Sequence, residues 1–141
     1  MLTTIEKVIF LRDIDIFENS KTEDLAYIGA ITEEVTFKKD DIIYAEGDIS
    51  DSMYMVIDGQ IRLSRDDKDV MIAKYKDVFG TWALFDDEPR VVTAVSESDS
   101  RLLVINREDF VDLLADHVQI TESVLKTMTR RIRSLMSRFK I

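Results

Sequence analysis

The chain has 141 residues, of which 45% are hydrophobic and 33% charged, and a formal net charge of −9. This length and composition suit one globular domain, residues 1–141, with a full hydrophobic core, and disfavour two domains. Because the sequence contains no cysteine, disulfides, thiolate metal sites and cysteine nucleophiles are excluded.

No apolar run approaches the roughly 18 residues that a membrane span requires, and the N-terminus lacks a basic segment followed by an apolar region. We therefore expect a cytoplasmic protein without a membrane span.

The charge is unevenly distributed along the chain. Residues 117–141 carry a net charge of +5, which leaves −14 on residues 1–116. An acidic body disfavours nucleic-acid binding, because phosphate contacts supply most of that affinity. The basic run at Arg130, Arg131 and Arg133 is short, and we interpret it as the solvated flank of a helix. The chain stops at Ile141 without a helix-turn-helix, so we expect this chain to bind no nucleic acid.

Residues 1–33 are predicted to form two helices. Thr3 and Glu6 have the spacing of a capping box, and Ile5, Val8 and Ile9 recur at helical intervals up to about Arg12. The second helix shows the same spacing at Ser20 and Glu23, with an apolar face made by Leu25, Ile28 and Ile31.

In residues 34–106 the apolar residues recur with a period of two, which is typical of strands. Apolar residues alternate in short runs, for example Met53, Met55 and Ile57, and acidic or glycine-containing turns separate the runs. Asp58-Gly59 is a strong hairpin signal, and Asp67-Lys68 is predicted to turn the next pair. The predicted fold class is therefore mainly β: an antiparallel jelly roll, preceded and followed along the chain by helices.

The stretch from Phe79 to Arg90 interrupts this pattern. Gly80 precedes a short apolar turn, and the acidic loop Asp86-Asp87-Glu88 ends at Pro89, the only proline, and Arg90. Glycine lets backbone N–H groups approach a ligand, and arginine can bind phosphate through two parallel hydrogen bonds. The pattern leaves two interpretations open: an anion-binding site, or a surface turn with a solvated arginine.

Residues 107–141 are predicted to be helical. Asn106 caps a helix that runs to about Ala115, with Asp109 at the fourth position. The final helix has apolar residues spaced alternately by three and four, which indicates a coiled-coil interface. We call the part expected to contact a partner the seam, and it comprises Leu125, Met128, Ile132, Leu135 and Phe139. Ile120 and Val124 form a second face that would pack within the chain.

No catalytic or metal-binding group of residues emerges. The only histidine, His117, has no second ligand nearby, and the three consecutive acids at residues 86–88 are interpreted as a solvated turn rather than a Mg²⁺ site. A serine nucleophile would lack a base, and neither a Walker loop nor a dinucleotide fingerprint is present. We therefore predict no enzymatic activity.

Two motifs resemble the cyclic nucleotide-binding domain found in the catabolite activator protein, in cyclic-nucleotide-dependent kinases and in bacterial regulators. The first runs from Gly47-Asp48 through residues 51–61 and resembles the family's paired strands with a glycine at each turn. The second is the Phe79–Arg90 stretch, which resembles the family's phosphate-binding cassette. The resemblance covers about residues 5–135 and implies a jelly roll whose cassette holds the phosphate of cAMP or cGMP.

The resemblance also assigns positions. Gly80, Ala83 and Leu84 match backbone or framing positions, and Arg90 matches the phosphate-binding arginine. Thr81 stands where the family has a glutamate that accepts a hydrogen bond from the ribose 2′-OH. Val91 stands where the family has a small residue, and Trp82 replaces a smaller aliphatic one.

These departures have a predictable size. A hydrogen bond to a charged group contributes about 1.5–3 kcal/mol, so losing the glutamate weakens binding roughly ten- to a hundredfold. Overpacking by Val91 would cost about 1–3 kcal/mol more. We therefore predict a regulatory domain with weakened or lost cyclic nucleotide binding, which acts through a homodimer or partner helix. The alternative is a working cAMP or cGMP sensor that couples ligand at Arg90 to movement of the C-terminal helix.

Overall fold

The structure is a computed structural model that describes residues 1–140. The chain forms two compact units, each considered by itself. The strand unit comprises Met1 and Ile31–Phe110, and the helical unit comprises Leu2–Ala30 and the chain from Val111 onward. The single-domain assignment stays a prediction.

The strand unit contains eight strands in two antiparallel sheets. These are β1 (Thr32–Phe37), β2 (Ile42–Tyr44), β3 (Ser52–Asp58), β4 (Ile61–Arg65), β5 (Lys68–Ala73), β6 (Val78–Phe79), β7 (Thr93–Ser96) and β8 (Ser100–Asn106). One sheet has the order β1-β8-β3-β6 and the other β2-β7-β4-β5. The core of this unit draws side chains from both sheets, including Val56 and Leu102 from the first and Ile61 and Ala94 from the second. This arrangement confirms the predicted jelly roll.

The β3–β4 hairpin turns at Asp58-Gly59 as predicted, and Gly59 has φ +93°. The next turn is shifted by one residue from the prediction. Asp66 and Asp67 adopt φ +52° and +62°, and β5 already begins at Lys68. Two positive φ values match the type I′ hairpin, in which aspartate tolerates the left-handed conformation.

The predicted inward face of β3 was wrong at one position. Met53 and Met55 are fully buried, but so is Val56, and Ile57 is only half-buried. The pairing with β8 shifts register between Val56 and Asp58. Such a bulge adds one residue to the strand and ends the strict alternation of faces.

The helical unit contains α1 (Thr4–Arg12), α2 (Thr22–Ala30) and α4 (Val118–Arg138), and α3 (Arg107–Asp116) begins in the strand unit and ends in the helical unit. Two short 3-10 helices lie at Asp15–Phe17 and Thr81–Leu84. Thr3 and Glu6 form the predicted capping box of α1. The Asn106 side chain accepts a hydrogen bond from the Glu108 N–H at 2.8 Å, so it caps α3 as expected.

The first predicted helix forms as α1, with Phe10 and Leu11 as its buried residues, whereas Ile5 is 73% and Ile9 48% exposed. The predicted start of the second helix was wrong. The α2 helix begins at Thr22, and the buried Ser20 hydroxyl makes no hydrogen bond. The Asp24 N–H donates to the Lys21 carbonyl instead. The capping-box spacing at Ser20 therefore does not mark this helix start.

Candidate functional site

The turn after β6 is shaped by Gly80. This residue has φ +74° and ψ 21°, and it immediately precedes the 3-10 helix Thr81–Leu84. A Cβ atom at this position would lie 2.6 Å from Arg90 Nη1 and 3.1 Å from the Ser52 carbonyl oxygen. The left-handed conformation and the lack of space both require glycine. The turn therefore passes directly against the Arg90 guanidinium.

Arg90 is buried, with only 7% of its surface exposed. Its Nη2 donates to the Ser52 carbonyl oxygen at 2.8 Å and to Ser52 Oγ at 3.3 Å. Its Nε atom is also buried and has no hydrogen-bond partner among residues 1–140. Buried charged donors are rarely left without acceptors, because the loss of hydration is costly. Arg90 is therefore a buried cation whose hydrogen-bonding capacity residues 1–140 do not fully use.

Aromatic rings surround the guanidinium on one side. Arg90 Cζ lies 4.0 Å from the centroid of the Tyr44 ring and 6.0 Å from that of Tyr54. Tyr54 in turn stacks on Phe79 at 5.2 Å between centroids. Burial raises the pKa of Tyr44 to about 12, although the Arg90 charge acts in the opposite direction. The Tyr44 ring is thus a neutral face for the cation, which fixes the orientation of the guanidinium.

A cavity of about 970 Å³ opens beside Arg90, within the strand unit. The aliphatic part of its wall includes Leu63, Val70, Met71 and Val92. Its charged residues are Arg65 and Arg90 together with Glu46, Asp66, Asp86 and Glu88. The size falls in the range of small-molecule sites, and an apolar wall with few polar groups is their usual composition.

Most of the predicted cassette residues line this cavity, namely Gly80, Thr81, Ala83, Arg90 and Val91. Leu84 does not line it, but is buried beneath the turn at 2% exposure. Val91 is 46% exposed, so its branched side chain lies at the rim rather than in a filled core.

The interpretation of Arg90 as a solvated arginine on a surface turn was wrong. Arg90 is buried, its side-chain hydrogen bonds go to Ser52, and it forms no ion pair with residues 1–140. The Asp86 side chain instead accepts a hydrogen bond from the Glu88 N–H at 3.1 Å, within its own loop.

The sequence did not single out three residues of this site: Tyr44, Ser52 and Arg107. Ser52 precedes Arg90 by 38 positions, and only the folded chain brings the two together. Arg107 Nη1 donates to the carbonyl oxygens of Ser50 at 3.0 Å and Ala83 at 3.2 Å, and also to that of Asp86. For Tyr44, the recurrence of aromatic residues in β2, β3 and β6 was an available signal.

The seam lies in the helical unit. Along α4, Ile120, Val124 and Thr127 are buried, which agrees with the predicted second face. Leu125, Ile132 and Leu135 are 61%, 57% and 54% exposed, and Met128 is half-buried. Phe139, at 76% exposure, lies just beyond the helix end at Arg138. Apart from Met128, the seam residues are therefore mostly uncovered by the described part of the chain.

The basic run on α4 contacts the N-terminal segment of the helical unit. Arg130 lies 4.0 Å from Glu18, and Arg131 lies 3.8 Å from Asp15. The Asn19 side-chain amide donates to Thr127 Oγ1 at 2.8 Å in the same region. These exposed ion pairs involve two of the three arginines of the basic run.

Within residues 1–140, no group of three or more His, Cys, Asp or Glu side chains is arranged to hold a metal ion. The same residues include no helix that combines the length and the apolar character needed to cross a bilayer.

Two antiparallel sheets with a cavity and a buried arginine between strands are features of jelly-roll ligand-binding domains. The sequence profile of the family described as "Cyclic nucleotide-binding domain" matches residues 34–117. This match covers more than half of the chain, and the chain belongs to this family.

Relatives support the assignment. The chain is 27% identical to a CRP-like cAMP-activated global transcriptional regulator of Mycobacterium tuberculosis, over 84% of this chain and 55% of the relative. It is 28% identical to a cAMP-dependent protein kinase regulatory subunit of Aspergillus niger, over 74% of this chain and 26% of the relative. The chain thus spans about half or less of these relatives' lengths.

A solved structure shows the same fold. The N-terminal domain of a transcriptional regulator from Streptomyces coelicolor superimposes with a TM-score of 0.85 at 26% identity, covering 89% of this chain and 94% of that domain.

Proposed function

We propose that this chain is a non-enzymatic, cytoplasmic regulatory domain that binds cyclic nucleotides weakly at Arg90 and acts through self-association or protein contacts of the seam. The buried guanidinium at the edge of an open cavity is the observation that carries the ligand part. Arg90 lines the cavity, and a cyclic phosphate offers anionic oxygens to its guanidinium. We propose no nucleic-acid contact for residues 1–141.

The weak affinity follows from the rest of the cavity. Thr81 presents a neutral hydroxyl where the family has the ribose-binding carboxylate, and this exchange removes roughly ten- to a hundredfold in affinity. The cavity wall also carries four carboxylates against two arginines, which disfavours a phosphate at long range. Val91 matters less than the sequence indicated, because it lies half-exposed at the rim.

A working cAMP or cGMP sensor, which couples ligand at Arg90 to movement of the C-terminal helix, is the second candidate. The open cavity favours it, since a domain that had lost its ligand entirely would be free to fill that space with side chains. The two candidates predict different dissociation constants. We expect about 0.1–1 mM for the weak site, and micromolar or tighter binding for the sensor.

Trp82 gives a direct way to measure binding. It is the only tryptophan in the chain, lines the cavity and is 70% exposed. Titration with cAMP and with cGMP to 5 mM, a range chosen to bracket the expected constants, should change its fluorescence, with calorimetry as an independent check.

The Arg90→Lys variant should lose the response, because lysine cannot replace the planar two-pronged contact. The matched control is Arg65→Lys, an exposed arginine on the same cavity wall, which should keep it. An unchanged response in Arg90→Lys would contradict the site, and micromolar affinity in the wild type would favour the sensor.

A further inference from the structure

Arg107 connects the cassette turn to the segment that precedes β3. It is the first residue of α3, and its Nη1 donates to the carbonyl oxygens of Ala83 and Asp86 on one side and of Ser50 on the other. Its own backbone N–H donates to the Asp51 carbonyl oxygen at 2.8 Å. The helix start is therefore attached to both segments.

Arg90 connects the same two segments. Its guanidinium contacts Ser52 through hydrogen bonds and lies against the Gly80 backbone. Two arginines thus bridge residues 50–52 and 80–86, one on the cavity and one away from it. Arg107 is not among the residues that line the cavity, so a ligand there would contact Arg90 but not Arg107.

We propose that Arg107 is a positioning residue that holds the turn at residues 80–86 in the conformation that faces Arg90. The role of Arg107 in holding the turn is independent of the proposed ligand site. Only its effect on ligand affinity rests on that proposed function. Apart from the buried Ala83 and Leu84 and the contact of Phe85 with Phe110, little else fixes the turn: the 3-10 helix is four residues long, and residues 85–89 are exposed. Short 3-10 helices and exposed loops are weakly held by their own hydrogen bonds.

An arginine suits this position because its partners are backbone carbonyl oxygens from two segments. A single guanidinium presents several N–H donors in a fixed plane, and so can contact backbone oxygens from two segments at once. Lysine carries a charge on a shorter side chain, and glutamine carries no charge. The order of turn stabilisation should therefore be arginine, then lysine, then glutamine.

The test has one arm that needs no ligand. Amide hydrogen exchange of the unliganded protein should show faster exchange across residues 80–86 in Arg107→Gln, with Arg107→Lys between it and the wild type. Exchange in β1 and β8 should stay unchanged. The matched control is Arg101→Gln, which removes another half-buried arginine of the strand unit, paired with Glu34 at 3.3 Å.

The second arm measures cAMP affinity through Trp82 fluorescence. We expect Arg107→Gln to weaken cAMP binding about tenfold. The turn at residues 80–86 would then have to be ordered by the ligand itself, and this ordering lowers the affinity. Arg107→Lys should recover part of this loss, and Arg101→Gln should bind as the wild type does.

Unchanged exchange at residues 80–86 in Arg107→Gln would overturn the proposal, as would faster exchange spread evenly over the strand unit. If the wild type shows no response to cAMP, the proposed ligand site fails while the exchange arm still decides the role of Arg107.

Discussion

The cavity beside Arg90 and the seam on α4 differ in how much of a binding site the chain itself supplies. The cavity is lined by residues from many segments of the strand unit, and its arginine is already held by Ser52 and Tyr44. The seam is one face of one helix, and its leucines are more than half exposed. One surface is shaped within the chain, whereas the other needs a second helix to become a site.

This difference shows which property each surface controls. If the cavity binds a small anion at Arg90 as proposed, substitutions there should change affinity for ligand and leave association unchanged. An apolar helix face gains free energy only when another surface covers it. Substitutions there should change association and leave the cavity unchanged.

Leu135→Asp should have the largest effect, on association. Burying a leucine stabilises by about 1.5–3 kcal/mol, and a symmetric dimer loses two of them. The dimer dissociation constant should rise at least a hundredfold, since about 3 kcal/mol corresponds to that factor. Analytical ultracentrifugation over a concentration series measures it.

The matched control for that change is Ser134→Asp, which adds the same charge at the neighbouring exposed position. It should associate as the wild type does. If wild-type protein is monomeric at all concentrations, the homodimer is wrong and the seam is left to a partner helix. Fluorescence titration of Leu135→Asp should give an unchanged cAMP affinity, and a changed one would remove the distinction between the two surfaces.

Thr81→Glu should have the next largest effect, on ligand affinity. The carboxylate would provide an acceptor for the ribose hydroxyl, worth about 1.5–3 kcal/mol, and affinity for cAMP should rise ten- to a hundredfold. Thr81→Gln is the matched control, because it has the same length without the charge and should gain much less. Equal affinities for the wild type and Thr81→Glu would show that this position does not limit binding.

The sequence predicted features that depend on short-range contacts better than features that depend on contacts between distant residues. Local patterns were reliable where a short-range contact decides the structure: the Thr3 capping box, the Asp58-Gly59 turn and the Asn106 cap all formed. The helical spacing of Ile120 and Val124 also identified the buried face of α4.

Predictions failed where tertiary contacts override the local pattern. The spacing at Ser20 suggested a cap, but the helix begins two residues later. The alternation in β3 could not reveal the bulge after Val56, because a bulge depends on the register with β8. In the same way, the sequence could not identify Ser52 as the partner of Arg90, because this hydrogen bond joins residues that are 38 positions apart.

The smallest predicted effect concerns Tyr44 and the stability of the folded protein at high pH. Burial raises its pKa to about 12 in the folded protein, against 10.0 for the ordinary side chain. The unfolded chain therefore releases the tyrosine proton at lower pH than the folded one, so stability falls as the pH rises from 10 to 12. At pH 11 the loss should be about 1.4 kcal/mol, and at pH 8 it should be absent.

The Tyr44→Phe variant isolates this effect from the other groups that titrate in the same range. Phenylalanine keeps an aromatic face under Arg90 but carries no ionisable hydroxyl, so the variant should lose less stability between pH 8 and 11 than the wild type. Urea denaturation at both pH values measures the difference, and Tyr75→Phe, at a tyrosine that is 62% exposed, is the control. Parallel losses in the wild type and Tyr44→Phe would show that the Tyr44 hydroxyl reaches water. The cavity would then be wetter beside Arg90 than the burial of Tyr44 indicates, and an anion there would bind more weakly.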